Sequence, residues 1–375
     1  MKFLFILLAC FSIGLFAQEA EPMHDHSKME KMSSKHHSMR HISAPIGIMG
    51  SMHHKGFMLS IKHGFMKMNG NIFDGNNISN SKILEMPNPL GNMPTNLSVI
   101  PQSMDMKMTM IDAMYAPSNN LTFMVMATYA SRDMKLNTYS PMMSRGLIGQ
   151  FNTSSSDLSD ISLSTLFKIA QTKHSKWHGE ISFKKSIGKD NSMAQALTPM
   201  GMKMNMIMPY AMQPGDDSSS LVLGLTNTRE LKEGMIWSTQ LKRKMVVSKS
   251  SWSFGDQTEL NSWIQYPFSK QVSISSRFKF IDQDVLSGSN ALIMAPVQTA
   301  NPKNYGGTEV FFGLGMNINL DVLPGGNDSI GIEILKPVNQ NKNNLQMKTD
   351  YQVIIGYQKS LSLIHISEPT RRYSI

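Results

Sequence analysis

Histidine and methionine are concentrated where together they could hold a soft metal. Eight of the chain's eleven histidines fall between His24 and His63, and Met23, Met29, Met32, Met39, Met49 and Met52 are interleaved with them. Neutral imidazole suits copper, zinc and nickel, and thioether sulfur prefers copper(I), so the tract has the composition of a copper-capturing tail. The spacings His24-x-His26, His36-His37 and His53-His54 let neighbouring imidazoles reach one ion without a folded scaffold. The candidate ligands are therefore His24, His26, His36, His37, Met49, Met52, His53 and His54, with copper as the candidate metal and no other cofactor indicated. The competing reading is a disordered, methionine-biased linker whose histidines titrate near neutrality and meet no metal.

A second row, Met200, Met202, Met204, Met206 and Met208, alternates with Gly201, Lys203, Asn205 and Ile207. In an extended chain this sets thioethers about 7 Å apart on one face. The row could relay copper(I), but covering apolar surface explains it too and is preferred, because Met stands in for Leu throughout the chain. Catalytic signatures are missing: there is no Gly-x-Ser-x-Gly elbow, His-Glu-x-x-His pair or phosphate loop. Only His174 and His178 fall among the strands and their turns, and neither has an evident nucleophile, so the chain reads as a non-enzyme.

The elements that must position these residues are narrowed by composition. Of 375 residues, 34 are Met, 41% are hydrophobic and only 17% are charged. That charged fraction is below the roughly 25% of a soluble domain. No apolar run reaches the roughly 18 residues of a membrane helix, which excludes a helical bundle. A transmembrane β-barrel satisfies both limits, since a polar lumen dilutes its lipid face. The net charge is +9, but no Lys/Arg run with interleaved aromatics marks a nucleic-acid surface.

Both ends of the chain stand apart. Met1-Lys2, the apolar run Phe3 to Phe16 and Ala17 have the three regions of a secretory signal peptide over residues 1–17. A lipoprotein reading at Cys10 is less favoured, because it leaves a very short apolar region. With cleavage after Ala17 no cysteine is left, so disulfides and thiolate sites are unavailable. Residues 18–54 read as the His/Met-rich tail, 55–360 as the barrel and 361–375 as a non-native tail, since Leu361 to Arg371 resembles a sequencing adapter translated in frame.

Between the ends, period-two alternation dominates. Val272, Ile274, Phe278 and Phe280 oppose Ser273, Ser275, Arg277 and Lys279; Phe312, Leu314 and Met316 oppose Gly313, Gly315 and Asn317. Ile161, Leu163, Phe167 and Ile169 oppose Asp160, Ser162, Ser164 and Lys168; Ile181 and Phe183 oppose Glu180, Ser182 and Lys184. Met104, Met106, Met108 and Met110 oppose Asp105, Lys107 and Thr109, which predicts that these methionines face lipid. About twelve strands are expected, starting near Gly56, Met104, Leu121, Asp157, Lys176, Ser220, Met235, Thr258, Gln271, Val310, Ser329 and Asp350. Short turns such as Pro117 to Asn120 alternate with long polar segments at Asn69 to Pro101, Met193 to Ser219 and Leu286 to Gly307. Trp177, Trp237, Trp252, Trp263, Tyr115, Tyr129, Tyr266 and Tyr357 are expected at the membrane interfaces. A soluble sandwich or lipocalin-like barrel is disfavoured, since a dry core would not tolerate the charged faces.

Several motifs then show a family resemblance. Ala44-Pro45-Ile46-Gly47-Ile48-Met49-Gly50, Met66 to Asn71, Met114 to Ser118, Pro209-Tyr210-Ala211-Met212-Gln213, Asn301 to Gly307 and Gly356-Tyr357-Gln358 occur in this order. The chain resembles, from about Ala44 to Gln358, a family of Gram-negative outer-membrane transporter-like barrels related to the meta-pathway of phenol degradation proteins. Departures are Ser154 to Asp160, where a Gly-rich stretch is expected, and Lys184 to Gly188, where Pro-Thr-Gly is expected. The resemblance also implies a terminal aromatic residue after Gln358, read by the assembly machinery, where the adapter-like tail begins.

The resulting expectation is an all-β, antiparallel outer-membrane barrel with a disordered N-terminal tail. Its partners are outer-membrane lipid, the assembly machinery and a small solute, which the resemblance implies to be hydrophobic or aromatic, for passive passage or binding. The runner-up is a metal-linked barrel that captures copper through the tail. A structural barrel without transport is the third reading; a lumen plugged by the tail fits that reading and a gated pore alike.

Overall fold

The computed structural model describes residues 44–50, 55–91, 93–142, 144–320 and 326–362. The alternating runs form twelve barrel strands: β1 (Gly56–Phe73), β2 (Val99–Ser118), β3 (Leu121–Tyr139), β4 (Leu147–Gln171), β5 (Ser175–Ser186), β6 (Ser219–Glu230), β7 (Ile236–Ser248), β8 (Gln257–Pro267), β9 (Val272–Gln283), β10 (Gly307–Leu320), β11 (Gly326–Lys342) and β12 (Leu345–Ser362). Every strand is antiparallel to its chain neighbours, and β12 pairs with β1 from Gly56↔Ser362 to Phe73↔Leu345. Closure gives each strand two partners, so ladder groups are satisfied within the barrel without an exposed edge. The expected strand number and order are both observed, and β12 runs two residues beyond Ser360.

Alternation sets two chemically distinct faces. Leu163, Ile274 and Leu314 point outward and are exposed, whereas Ser162, Ser164, Ser275 and Arg277 on the same or neighbouring strands are buried inside. Short connections at 119–120, 172–174, 231–235 and 268–271 lie at the end where β1 begins and β12 finishes. Long segments at 74–98, 187–218 and 284–306 gather at the other end. Tyr115, Trp237 and Tyr266 project outward near the short-turn end, where Phe57 stacks on Tyr115 at 4.7 Å and Arg229 lies 5.9 Å over Trp237. Trp252 and Trp263 are not part of this girdle. Trp263 shares the inward parity of Asn261 and Gln265, and Trp252 is wholly buried in a loop cluster.

One alternation runs opposite to the sequence expectation. On β2, Asp112, Met114 and Ala116 are buried and Ile111 and Tyr115 exposed, and the register with β1 continues without a shift from Ala116 to Ser103. Even-numbered positions therefore face the lumen throughout, so Met104 to Met110 line the inside. Asp105, Lys107 and Thr109 are the outward residues. Asp105 pairs with Lys67 of β1 at 2.9 Å, near the long-loop end.

Candidate functional site

The long loops fold together into a cap. Gln213 accepts from the Ser192 amide at 2.8 Å and donates to the carbonyls of Ser192 (3.2 Å) and Met208 (2.6 Å), which fixes the 187–218 segment onto its own short helix at Tyr210–Met212. Tyr210 packs edge-on against Trp252 at 4.8 Å and against Tyr305 at 6.0 Å. The Tyr305 hydroxyl donates to the Thr299 carbonyl at 2.7 Å and accepts from the Ala211 amide at 3.0 Å. The Tyr210 hydroxyl accepts from the Asn290 amide at 2.8 Å. Burial pushes both phenol pKa values up, so the two hydroxyls stay protonated and keep the loops joined.

Beside this cap lies a cavity of about 380 Å³. Its outer wall is the hairpin Met193–Leu197 with Lys203–Ile207, held to β3 where Thr138 donates to the Leu197 carbonyl at 2.7 Å. Its inner wall is Val99, Met134, Leu136 and Phe151 of β2, β3 and β4. Nine of the lining residues are methionine, including all five of the Met200 to Met208 row, and none of the described lining residues is charged. A space of this size falls within the range of small-molecule sites, and its chemistry suits an apolar ligand with few hydrogen-bonding groups.

Below the cap the lumen is charged and largely paired, although the inward Arg132 and Lys244 make no ion pair among the described residues. Lys242 meets Glu180 at 2.7 Å, Lys184 meets Asp160 at 3.0 Å, Arg277 meets Glu333 at 3.1 Å and Lys279 meets Glu259 at 3.4 Å. On the opposite side Lys62 faces Asp112 at 3.9 Å, and Ser60 donates to the same carboxylate. Pairing is what allows charges to be held away from bulk water. His178 is buried on this inward face, opposite Thr226 of β6.

A segment of the chain occupies the lumen. Ala44 to Gly50 enters from the short-turn end, with Ile46 and Ile48 buried. Asn317 donates to the Ala44 carbonyl at 2.9 Å and Gln240 to the Met49 carbonyl at 3.2 Å. Ile46 lies against Gly331 and Gly356, which face each other across β11 and β12; a Cβ on either glycine would come within 2.8 Å of the Ile46 side chain. A Cβ on Gly47 would collide with the Glu333 carboxylate and lie 3.0 Å from Arg277.

Residues 44–50, part of the 18–54 stretch read as the tail, sit in the lumen, where their two isoleucines find an apolar seat beside paired glycines. Of the predicted metal ligands, Met49 is thereby placed inside the barrel. His24, His26, His36, His37, Met52, His53 and His54 lie outside the described residues. Among the described residues no cluster of three His, Cys, Asp or Glu forms a metal site.

What the sequence reading missed is the methionine wall. Met58, Met66 and Met68 on β1, Met104, Met106, Met108, Met110 and Met114 on β2, and Met124, Met126 and Met134 on β3 all share the inward parity. The charged network lies mainly on β4 to β11, so the lumen has a thioether side and an ionic side. The parity of Ile111, Asp112 and Tyr115 was the signal that could have revealed it.

No protein-family model matches the chain, and no curated protein matches it by sequence. Among solved structures, the COG4313 outer membrane channel from Pseudomonas putida F1 is similar with a TM-score of 0.51 at 9% identity, covering 83% of this chain and 97% of that one. The P. putida toluene transporter TodX is more distant, with a TM-score of 0.37 at 11% identity over 86% of this chain and 93% of that one. At 9% identity the likeness to the first of these is one of fold alone, a closed antiparallel β-barrel.

Proposed function

We propose that the chain resides in the bacterial outer membrane and binds and passes a small hydrophobic or aromatic solute, with no energy source of its own. The observation that carries this reading is the uncharged, methionine-lined cavity beside the cap, next to a lumen whose charges are largely paired. A solute with a large apolar area gains from such a site, because its surface leaves water without displacing any protein hydrogen bond. The segment Ala44 to Gly50 gives the channel a stopper, so passage requires this segment to move. The apolar run Phe3 to Phe16 supports export, and the exposed apolar belt supports contact with outer-membrane lipid after assembly by the barrel-insertion machinery. This reading implies no chemical step on the solute.

The test is binding of a naphthylamine dye, which brightens in apolar sites, to the full-length protein in detergent. Saturable binding is expected, weakened about tenfold, or about 1.4 kcal/mol, by Met206→Asp. Absence of saturable binding, or indifference to that substitution, would refute the reading.

A further inference from the structure

We propose that the lumen binds a soft monovalent cation, copper(I) or silver(I), on a cluster of four methionines: Met49, Met58, Met114 and Met124. The proposal goes beyond solute passage and uses no histidine of the N-terminal tract, from which it takes Met49 alone.

Register builds the cluster. Met58 lies directly opposite Met114, and Met114 directly opposite Met124, with no slip between them. Side chains directly opposite on neighbouring strands have Cβ atoms about 4.5–5.5 Å apart. Three thioethers on three adjacent strands therefore stand abreast on the lumen side. Met114 and Met124 are almost wholly buried in one cluster with Leu166, and both Met58 and Met49 pack against that cluster. Met49 arrives on the plug segment, whose carbonyl at that residue is fixed by Gln240. Four methionines from four separate segments thus gather at the end of the lumen that holds the N-terminal segment.

The donor set determines the ion. Thioethers are uncharged and soft, so they hold copper(I) or silver(I) and compete poorly for hard or strongly hydrated divalent cations. The adjoining carboxylate, Asp112, meets Ser60 and Lys62 through Oδ2, and its buried Oδ1 has no hydrogen-bond partner, so one hard oxygen borders the soft thioether set.

Apolar packing alone does not account for the distribution. Across β1 from 57 to 68, β2 from 104 to 115 and β3 from 123 to 134, eleven of the eighteen inward positions are methionine and none of the eighteen outward ones is. The lipid side of the same strands is built from Phe, Leu, Ile, Val, Ala and Tyr among its apolar residues. If methionine merely replaced leucine, both faces would carry it. A second row, Met68, Met104 and Met134, repeats the abreast arrangement at the cap end.

Silver nitrate titrated into the full-length protein in detergent, with methionine methyl groups labelled with carbon-13, tests the site. The resonances of Met58, Met114 and Met124, assigned through single Met→Leu variants, are expected to shift together as one equivalent binds. The triple variant Met58→Leu, Met114→Leu, Met124→Leu is expected to bind one equivalent fewer, the tail's contribution being common to both proteins. Leucine conserves volume, so folding should survive, and heat-modifiable gel migration verifies it. If the triple variant fails to fold, Met114→Leu alone must abolish the silver-induced shifts of Met58 and Met124. Unmoved luminal resonances, or an unchanged number of equivalents in the folded triple variant, would overturn the proposal.

Discussion

The side-chain amide of Asn317 on β10 donates to the backbone carbonyl of Ala44 at 2.9 Å, which ties the start of the described chain to the inner wall of the barrel. With Gln240 holding Met49, the plug is fastened at both ends by side chains of different strands.

Crowding at Gly47 makes the plug removable by one substitution. A Cβ there would collide with the Glu333 carboxylate and lie 2.9 Å from Ile354. Gly47→Val is expected to expel the segment and raise single-channel conductance in planar bilayers relative to the parent protein. Equal conductance would show that the segment does not limit passage.

The Arg277–Glu333 pair should reveal how the lumen tolerates charge. Both side chains are almost fully buried, so Glu333→Leu removes the main charge partner of the guanidinium. Stability in a urea titration is expected to fall by about 3–5 kcal/mol, with most of the loss regained on adding Arg277→Met.

Gln213 tests whether the cap is a separable element. Replacing it by Ala removes three hydrogen bonds and leaves the buried Met208 carbonyl without its side-chain donor. About 1–3 kcal/mol of local stability should be lost. Limited proteolysis is expected to cut within 187–218 faster, while the strands keep their heat-modifiable migration.

A fourth prediction concerns the outer face. Leu314 is exposed at the middle of β10, where a membrane barrel meets hydrocarbon. Leu314→Arg should cost about 2–4 kcal/mol in lipid vesicles, measured by reversible unfolding. A soluble barrel would show almost no change.

Much of the barrel was legible because charge marks the inner face. Arg277 and Lys279 on β9, or Glu180 and Lys184 on β5, leave no choice of parity, and the neighbouring Ile274 and Phe183 must face outward. On β2 the rule failed. Met104 to Met110 alternate with Asp105, Lys107 and Thr109, so hydrophobicity alone assigned the wrong side, while the distinguishing residues Ile111 to Tyr115 lie further along the strand. A lumen plugged by the tail was among the readings, but the residues that form the plug were not legible, because seven residues show no useful periodicity. Its only local sign is Ile46 and Ile48 within a Ser, Lys and His background. Pro209 to Gln213 and Asn301 to Gly307, which supported the family resemblance, build the cap rather than the wall, so their role depends on loop contacts that strand patterning does not register.

Closure also imposes an order on biogenesis. The seam joins Gly56 to Ser362 and Phe73 to Leu345, so the first strand waits for the last, and these pairings span almost the whole barrel sequence. Contacts this distant in sequence are the slow ones to form. Because Ala44 to Gly50 sits inside the ring, it must be enclosed as the seam zips or thread through the opening afterwards. A chain that shuts its seam before the segment is seated would emerge as a barrel of the same strands with an unblocked bore.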